Sequence, residues 1–382
     1  MTAVVRIRMT LDVKGVAAVM QAAEEAAERS GYRVVIAVVD AAGTLRELRS
    51  TEGAQAASAQ VAIDKARTAA IFVRPSREIE EQVSMGRLGA LALHGAAALT
   101  GGIPLTVDGE VVGAIGTSGE TPDEDESVSK AGAAATFSSA SVHTLTYSGA
   151  KFVAEVVASE AIRRPVSPVV AVVDASGELM YLWRPDGAQV ASVGVATDKA
   201  RTAALYRRPS KDFEDQASGG RPSALHLARA VPLQGGMPLL HDGEVVGAIG
   251  VSGASSASED QELSELGARA TDSPCDGPWP AIHLPAADVD VAFANGGLLV
   301  DAFRYQVEAA HRIAPGEAER HDTATDIMRV AAGTATLVTR SCGATLTHEL
   351  SPGDVLVIPE GVSHEFTAVS EPFQYFVVKV QS

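Results

Sequence analysis

Apolar residues Val16, Val19, Met20 and Ala23 fall at i, i+3, i+4 and i+7, a spacing that predicts a helix ending near Gly31. The unbroken apolar run Val34 to Val39 predicts a buried strand closed by Asp40 and Gly43, and a second strand over Thr44 to Leu48 completes a hairpin. A helical pattern from about Ala56 to Phe72 stops at Arg74-Pro75. Ile103 to Val107 and Val111 to Ile115 predict another hairpin turning at Asp108-Gly109, and a helix follows near Glu126 to Ala135. Together these elements predict an α+β unit, an antiparallel sheet with helices on one side.

The whole pattern then recurs. Val38-Val39-Asp40-Ala41-Ala42-Gly43 returns as Val172-Val173-Asp174-Ala175-Ser176-Gly177, and Asp64-Lys65-Ala66-Arg67-Thr68-Ala69-Ala70 returns as Asp198 to Ala204. Gly101-Gly102 with Pro104 returns as Gly235-Gly236 with Pro238. The offset is 134 residues throughout (Asp40 to Asp174, Asp64 to Asp198, Gly101 to Gly235), so a complete domain has been duplicated rather than a short solenoid repeat. After Ala270 the stretch Thr271 to Pro280 has linker composition. Beyond it short β-rich runs (Leu298 to Phe303, Ile327 to Val330, Thr334 to Thr339, Asp354 to Ile358, Tyr375 to Val380) alternate with Pro-Gly turns and predict a small all-β barrel. The expected domains are residues 1–136, 137–271 and 285–382, with a linker over 272–284.

Composition adds exclusions. The chain of 382 residues is 46% hydrophobic but only 4% aromatic, so its cores must be built from Ala, Val, Leu and Ile, and a disordered chain is excluded. With 31 Lys+Arg against 48 Asp+Glu the formal net charge is −17, which repels nucleic-acid phosphates and anionic lipid. Arg6 and Arg8 interrupt the one apolar run near the N-terminus, so no leader or membrane span is expected and a cytoplasmic location is. Cys275 and Cys342 are too few for a disulfide framework and lack the neighbouring Cys or His of a zinc site.

Several motifs carry a resemblance. The Val-Val-Asp-x-x-Gly strand and turn, Arg184-Pro185-Asp186-Gly187-Ala188, Lys199-Ala200-x-Thr202-Ala203, the Gly-Gly-x-Pro turn and Val-Gly-Ala-Ile-Gly-x-Ser-Gly make the repeated unit similar to the haem-binding and haem-degrading HbpS/GlcG-like family. The resemblance implies α+β domains that form homo-oligomers and hold small ligands, haem among them. Gly235 and Gly236 belong to its ligand-side motifs. Copy two keeps Arg184 and Asp186 where copy one has Ser50 and Glu52; an arginine fork on a glycine loop suits a carboxylate, and a bracing surface pair is the alternative. Lys65 and Lys199, repeated in Ala-rich helices, could anchor an anion or pair with Asp64 and Asp198. Arg87 and Arg221 recur in glycine-containing loops as anion candidates. No histidine repeats: His94 matches Ala228, His226 matches Ala92 and His241 matches Val107, so haem rests on the resemblance without repeated histidine ligands.

From about Asp288 to Ser382 the chain resembles the cupin superfamily. Gly353, Pro359, Gly361 and His364 meet its second motif, a glycine, five residues, Pro-x-Gly, two residues and His. Counting back from Gly333, the first motif falls on Asp326, His321 and Glu319, with Glu in place of the usual first His and Asp in place of the usual Glu. Glu319 and His321, two apart on a strand, share a face. The expected metal cluster is therefore Glu319, His321, Asp326 and His364, whose imidazoles and carboxylates suit a divalent Fe, Mn, Ni or Zn ion. The expected function is a metal-dependent cupin enzyme acting on a small anionic molecule, with the tandem domains as second pocket or oligomer scaffold. A non-catalytic haem or small-ligand sensor and a purely structural assembly are the alternatives, and no catalytic residue is assigned.

Overall fold

The computed structural model describes residues 4–272, 285–302, 305–341 and 344–381. Both cysteines and nearly all of the expected linker lie outside the described residues. The chain falls into two compact units, one of Arg6–Thr144 and the other combining the residues before Arg6 with those from Leu145 onward.

Copy one runs β1 (Val5–Leu11), α1 (Val13–Ser30), β2 (Val35–Asp40), β3 (Leu45–Ser50), α2 (Ser58–Ile71), α3 (Arg77–Ser84), β4 (Gly102–Val107), β5 (Glu110–Ser118) and α4 (Pro122–Ala133). Its four-stranded sheet has the order β3-β2-β5-β4, every neighbour antiparallel. Asp12 caps α1 by accepting the Gly15 amide at 2.7 Å, and Gly31, at φ 68°, ends it in the left-handed conformation expected of a C-terminal glycine.

The sheet corrects the expectation of helices on one side. Val34, Ile36 and Val38 join Val16, Val19 and Met20 of α1 and Val128 of α4 in one core. Val35, Ala37 and Val39 face the other way, onto Ala62, Ala66, Ala69 and Ala70 of α2. An apolar run without alternation is what a strand buried on both faces requires. Small residues let α2 lie close: a Cβ at Gly116 would stand 2.3 Å from the Ala62 carbonyl oxygen. The low aromatic content is thus a packing requirement.

Copy two repeats this plan as β6 (Ser139–Leu145), α5 (Tyr147–Arg163), β7 (Val169–Asp174), β8 (Leu179–Trp183), α6 (Ser192–Tyr206), α7 (Lys211–Ser218), β9 (Gly236–His241), β10 (Glu244–Ser252) and α8 (Ala257–Asp272), with sheet order β8-β7-β10-β9. β1 pairs with β6 in a separate two-stranded sheet. Among the described residues no helix is long and apolar enough to cross a membrane.

After α9 (Ala286–Asn295) the C-terminal domain is all β: β11 (Gly297–Ala302), β12 (Tyr305–Arg312), β13 (Ala324–Ala332), β14 (Ala335–Ser341), β15 (Ala344–Leu350), β16 (Val355–Ile358), β17 (Ser363–Val369) and β18 (Phe373–Gln381). Two antiparallel sheets, β11-β12-β18-β13-β16 and β15-β14-β17, share one core that includes Met328, Leu337, Phe366, Phe373 and Tyr375.

Candidate metal centre

The cluster forms where three chain segments meet inside the C-terminal β domain. On β13 the side chains of Asp326, Met328 and Val330 are buried while Ile327 and Arg329 are exposed, so the period of two turns Asp326 inward. Gly361, at φ 76°, sits in the turn that leads into β17 and places buried His364 on its inner face; here the Pro-x-Gly of the motif is a conformational requirement. The approach segment is pinned by backbone bonds: Glu319 and His364 exchange two N–H···O bonds of 2.8 Å, and the Gly361 amide donates to the His321 carbonyl at 2.7 Å.

The four expected residues come together. His321 Nε2 lies 3.3 Å from Asp326 Oδ2 and 4.0 Å from Glu319 Oε2, and His364 Nε2 lies 3.9 Å from the same Asp326 oxygen. Glu319, His321 and His364 each offer a donor atom within 4.8 Å of the other two, and Asp326 adjoins both imidazoles. Donors each about 2.0–2.2 Å from a shared ion stand no more than about 4.4 Å apart, a limit that the His321–Asp326, His321–Glu319 and His364–Asp326 distances meet. Two buried atoms, His321 Nε2 and Asp326 Oδ1, have no hydrogen-bond partner. Such orphans cost about 1–3 kcal/mol each, and a cation would satisfy them.

Burial pushes the Asp326 carboxyl above its ordinary range, against the opposing pull of His321, Lys379 and His364. Burial also works on Glu319, but there the Arg312 hydrogen bond and charge prevail and hold the carboxyl below its usual range.

The cluster opens into a cavity of about 390 Å³ whose lining includes Arg312, Met328, Phe366, Tyr375, Val377 and Lys379. Arg312 donates from Nη2 to Glu319 Oε1 at 2.6 Å and from Nε to the Tyr375 hydroxyl at 3.0 Å. Lys379 donates to Glu308 Oε1 at 3.3 Å and pairs across the sheet with Asp326. The sequence reading missed Arg312, Tyr375 and Lys379. A signal was present in β18: Phe373, Tyr375, Val377 and Lys379 recur every second residue, and a lysine in register with three buried side chains faces the interior.

Of the residues expected to bind a ligand in the repeats, the lysines and glycines serve packing and the others lie on the surface. Lys65 Nζ is buried against Asp125 Oδ2 at 2.7 Å and the Thr117 carbonyl at 2.9 Å; Lys199 does the same with Asp260 at 2.8 Å and the Val251 carbonyl at 2.9 Å. Neither ammonium is open to a solute, and neither pairs with the adjacent Asp64 or Asp198, because consecutive helical side chains point about 100° apart. Gly235 and Gly236 serve this packing. Gly235 has φ 110°, and a Cβ on Gly236 would meet the Lys199 carbonyl oxygen at 2.3 Å. Arg184 and Asp186 are both exposed just after β8, and no ion pair joins them among the described residues. Arg87 and Arg221 are exposed and donate to Gln82 and Gln216. None of these eight residues lines the cavity of the C-terminal domain.

Comparison with known proteins places both parts of the chain. The family described as "Haem degrading protein HbpS-like" matches residues 11–134 and 145–269, and the family described as "Cupin" matches 317–382. Protein GlcG of Escherichia coli strain K12 is 38% identical over 93 residues, which cover 24% of this chain and 69% of GlcG. An uncharacterized 15.0 kDa protein of Citrobacter freundii is 32% identical over 128 residues, covering 32% of this chain and 89% of its own. Among solved structures, that of a PduOC:Heme complex is 27% identical with a TM-score of 0.31, covering 33% of this chain and 95% of that one.

Proposed function

Because the chain belongs to the HbpS-like haem-degrading protein family through two tandem domains and carries a cupin domain at its C-terminus, we propose that it is a metal-dependent cupin enzyme acting on a small organic anion. The observation that carries this reading is the convergence of His321, Asp326, His364 and Glu319, the last three of which line one cavity, with two of their buried polar atoms left without a hydrogen-bond partner. Imidazole and carboxylate donors select divalent Fe, Mn, Ni or Zn. When bound, such an ion supplies Lewis acidity to an oxygen of the substrate. The chain's own groups supply the rest. Lys379 and Arg312 face Glu308, Glu319 and Asp326 in the cavity, so its walls would favour an anion once a divalent ion is bound, and Met328, Phe366 and Val377 form its apolar side, excluding water from the bound molecule. The tandem domains act as a second ligand pocket or as the scaffold of a homo-oligomer.

His364→Ala tests this directly. The ring lies at the inner end of β17, and the core around Leu337, Phe366 and Phe373 does not depend on it, so the fold should survive. Metal content after reloading should fall sharply and any activity with it. A metal-replete His364→Ala protein would show that the cluster is not the site. The family's haem-degrading description favours a second reading, haem held by the tandem domains without repeated histidines. A Soret band on the purified chain, with no other first-row metal, would establish it instead.

A further inference from the structure

Glu319 stands where the cupin motif usually carries a histidine, and exchanging a neutral imidazole for a carboxylate changes the charge of the centre. A divalent ion held by Asp326 and two neutral imidazoles keeps one net positive charge; a second carboxylate cancels it. A neutral centre polarises an oxygen less and accepts an anion less readily. The structure places a compensating cation beside this departure and fixes it from several sides. The Arg312 guanidinium donates through Nη2 to Glu319 Oε1 at 2.6 Å and through Nε to the Tyr375 hydroxyl at 3.0 Å. Its Cζ lies 4.9 Å from the centroid of the Phe366 ring. Its Nη1 lies over Gly316, where a Cβ would stand 2.4 Å away and displace the guanidinium. Meanwhile the second Glu319 oxygen, Oε2, is the one 4.0 Å from His321 Nε2. The carboxylate thus has one oxygen for the arginine and one for the metal cluster.

We propose that Arg312, itself held by Tyr375, is a positioning residue that aims Glu319 Oε2 at the metal cluster and offsets the extra carboxylate charge. The inference rests on the metal reading above. Arg312 touches no ion; it acts through Glu319, as partners behind metal ligands commonly do, and loss of such a partner weakens metal affinity by about 10- to 100-fold.

The test is a double-mutant cycle on the full chain, with Mn(II) alone as the probe and calorimetric affinity as the readout. Arg312→Gln should weaken Mn(II) binding by about 10- to 100-fold in the wild-type background and by less than about twofold when Glu319→Gln is already present. Arg312→Lys, which can still donate to Glu319 but without the planar fork, should recover part of the loss, and Tyr375→Phe, which frees the guanidinium, should give a smaller loss. Thermal melts run on each variant separate loss of fold from loss of binding, and the cycle is read on those that melt like the wild type. Equal losses in both backgrounds would make Arg312 a general support of the barrel and overturn the proposal. So would Arg312→Gln protein with wild-type affinity, while leaving the metal reading intact. A wild-type chain with no saturable Mn(II) binding would bring down the metal reading, and this inference with it.

Discussion

Lys65 and Lys199 show how a single charge holds each repeated domain together. Each ammonium reaches from an Ala-rich helix across the sheet to a carboxylate on the last helix of its unit, Asp125 or Asp260, and to a carbonyl at the end of a central strand. Burial pushes the Asp125 carboxyl up against the pull of the Lys65 charge, a sign that desolvation of this pair is costly. Removing one partner therefore costs more than removing both. Lys65→Met should destabilise its unit by about 3–5 kcal/mol, and adding Asp125→Leu should recover most of that loss, as read from urea unfolding curves. Equal destabilisation by the single and double variants would contradict the account. Repetition of the lysines was legible in the sequence, but their partners were not, because a contact 60 residues away leaves no local pattern.

Elements that announce themselves by periodicity, such as α1, β2 and the β4-β5 hairpin, fall where the sequence puts them, whereas α3 does not appear in that reading. It buries only Ile79, and one apolar anchor in eight residues makes no stripe. β1 carries a strand period, Val5, Ile7, Met9 and Leu11 alternating with polar residues, but the sequence reading does not include it. What fixes α3 is an ion pair to α4. Arg77 donates to buried Glu126 at 2.9 Å and to Asp123, while Lys130 adds a bond of 2.7 Å to Glu126. Burial opposes the charge on Glu126, yet these two cations hold its carboxyl below the ordinary range. The unfolded chain therefore binds the proton more readily, and the stabilisation is present above the unfolded value near about 4.3 and lost as pH falls through the folded one. Glu126→Gln should cost a few tenths to about 1 kcal/mol at pH 7, and it should flatten the decline in stability between about pH 5 and 3. An unchanged acid slope in denaturation curves collected across that range would refute the assignment.

At the scale of the whole chain, duplication made the architecture readable. A 134-residue offset kept without a gap from Asp40 to Gly116 identifies two copies of one α+β domain, and the Pro-x-Gly-x-x-His spacing identifies a different, all-β domain after them. The candidate centre was legible to the extent that motif spacing fixes His321, Asp326 and His364. Arg312 and Tyr375 were not legible, because their meeting depends on β12 and β18 pairing edge to edge, Arg312 opposite Phe373 and Ala310 opposite Tyr375. The cavity carries charge of both signs, Arg312 and Lys379 against Glu308, Glu319 and Asp326, so its attraction for an anion depends on a bound divalent ion. The central claim is that this cavity, and not the tandem domains, holds the reactive centre. Elemental analysis of the full chain, stripped with chelator and then reloaded with Mn(II), tests it most directly. The account predicts about one ion per chain after removal of free metal; a chain that retains none would contradict it.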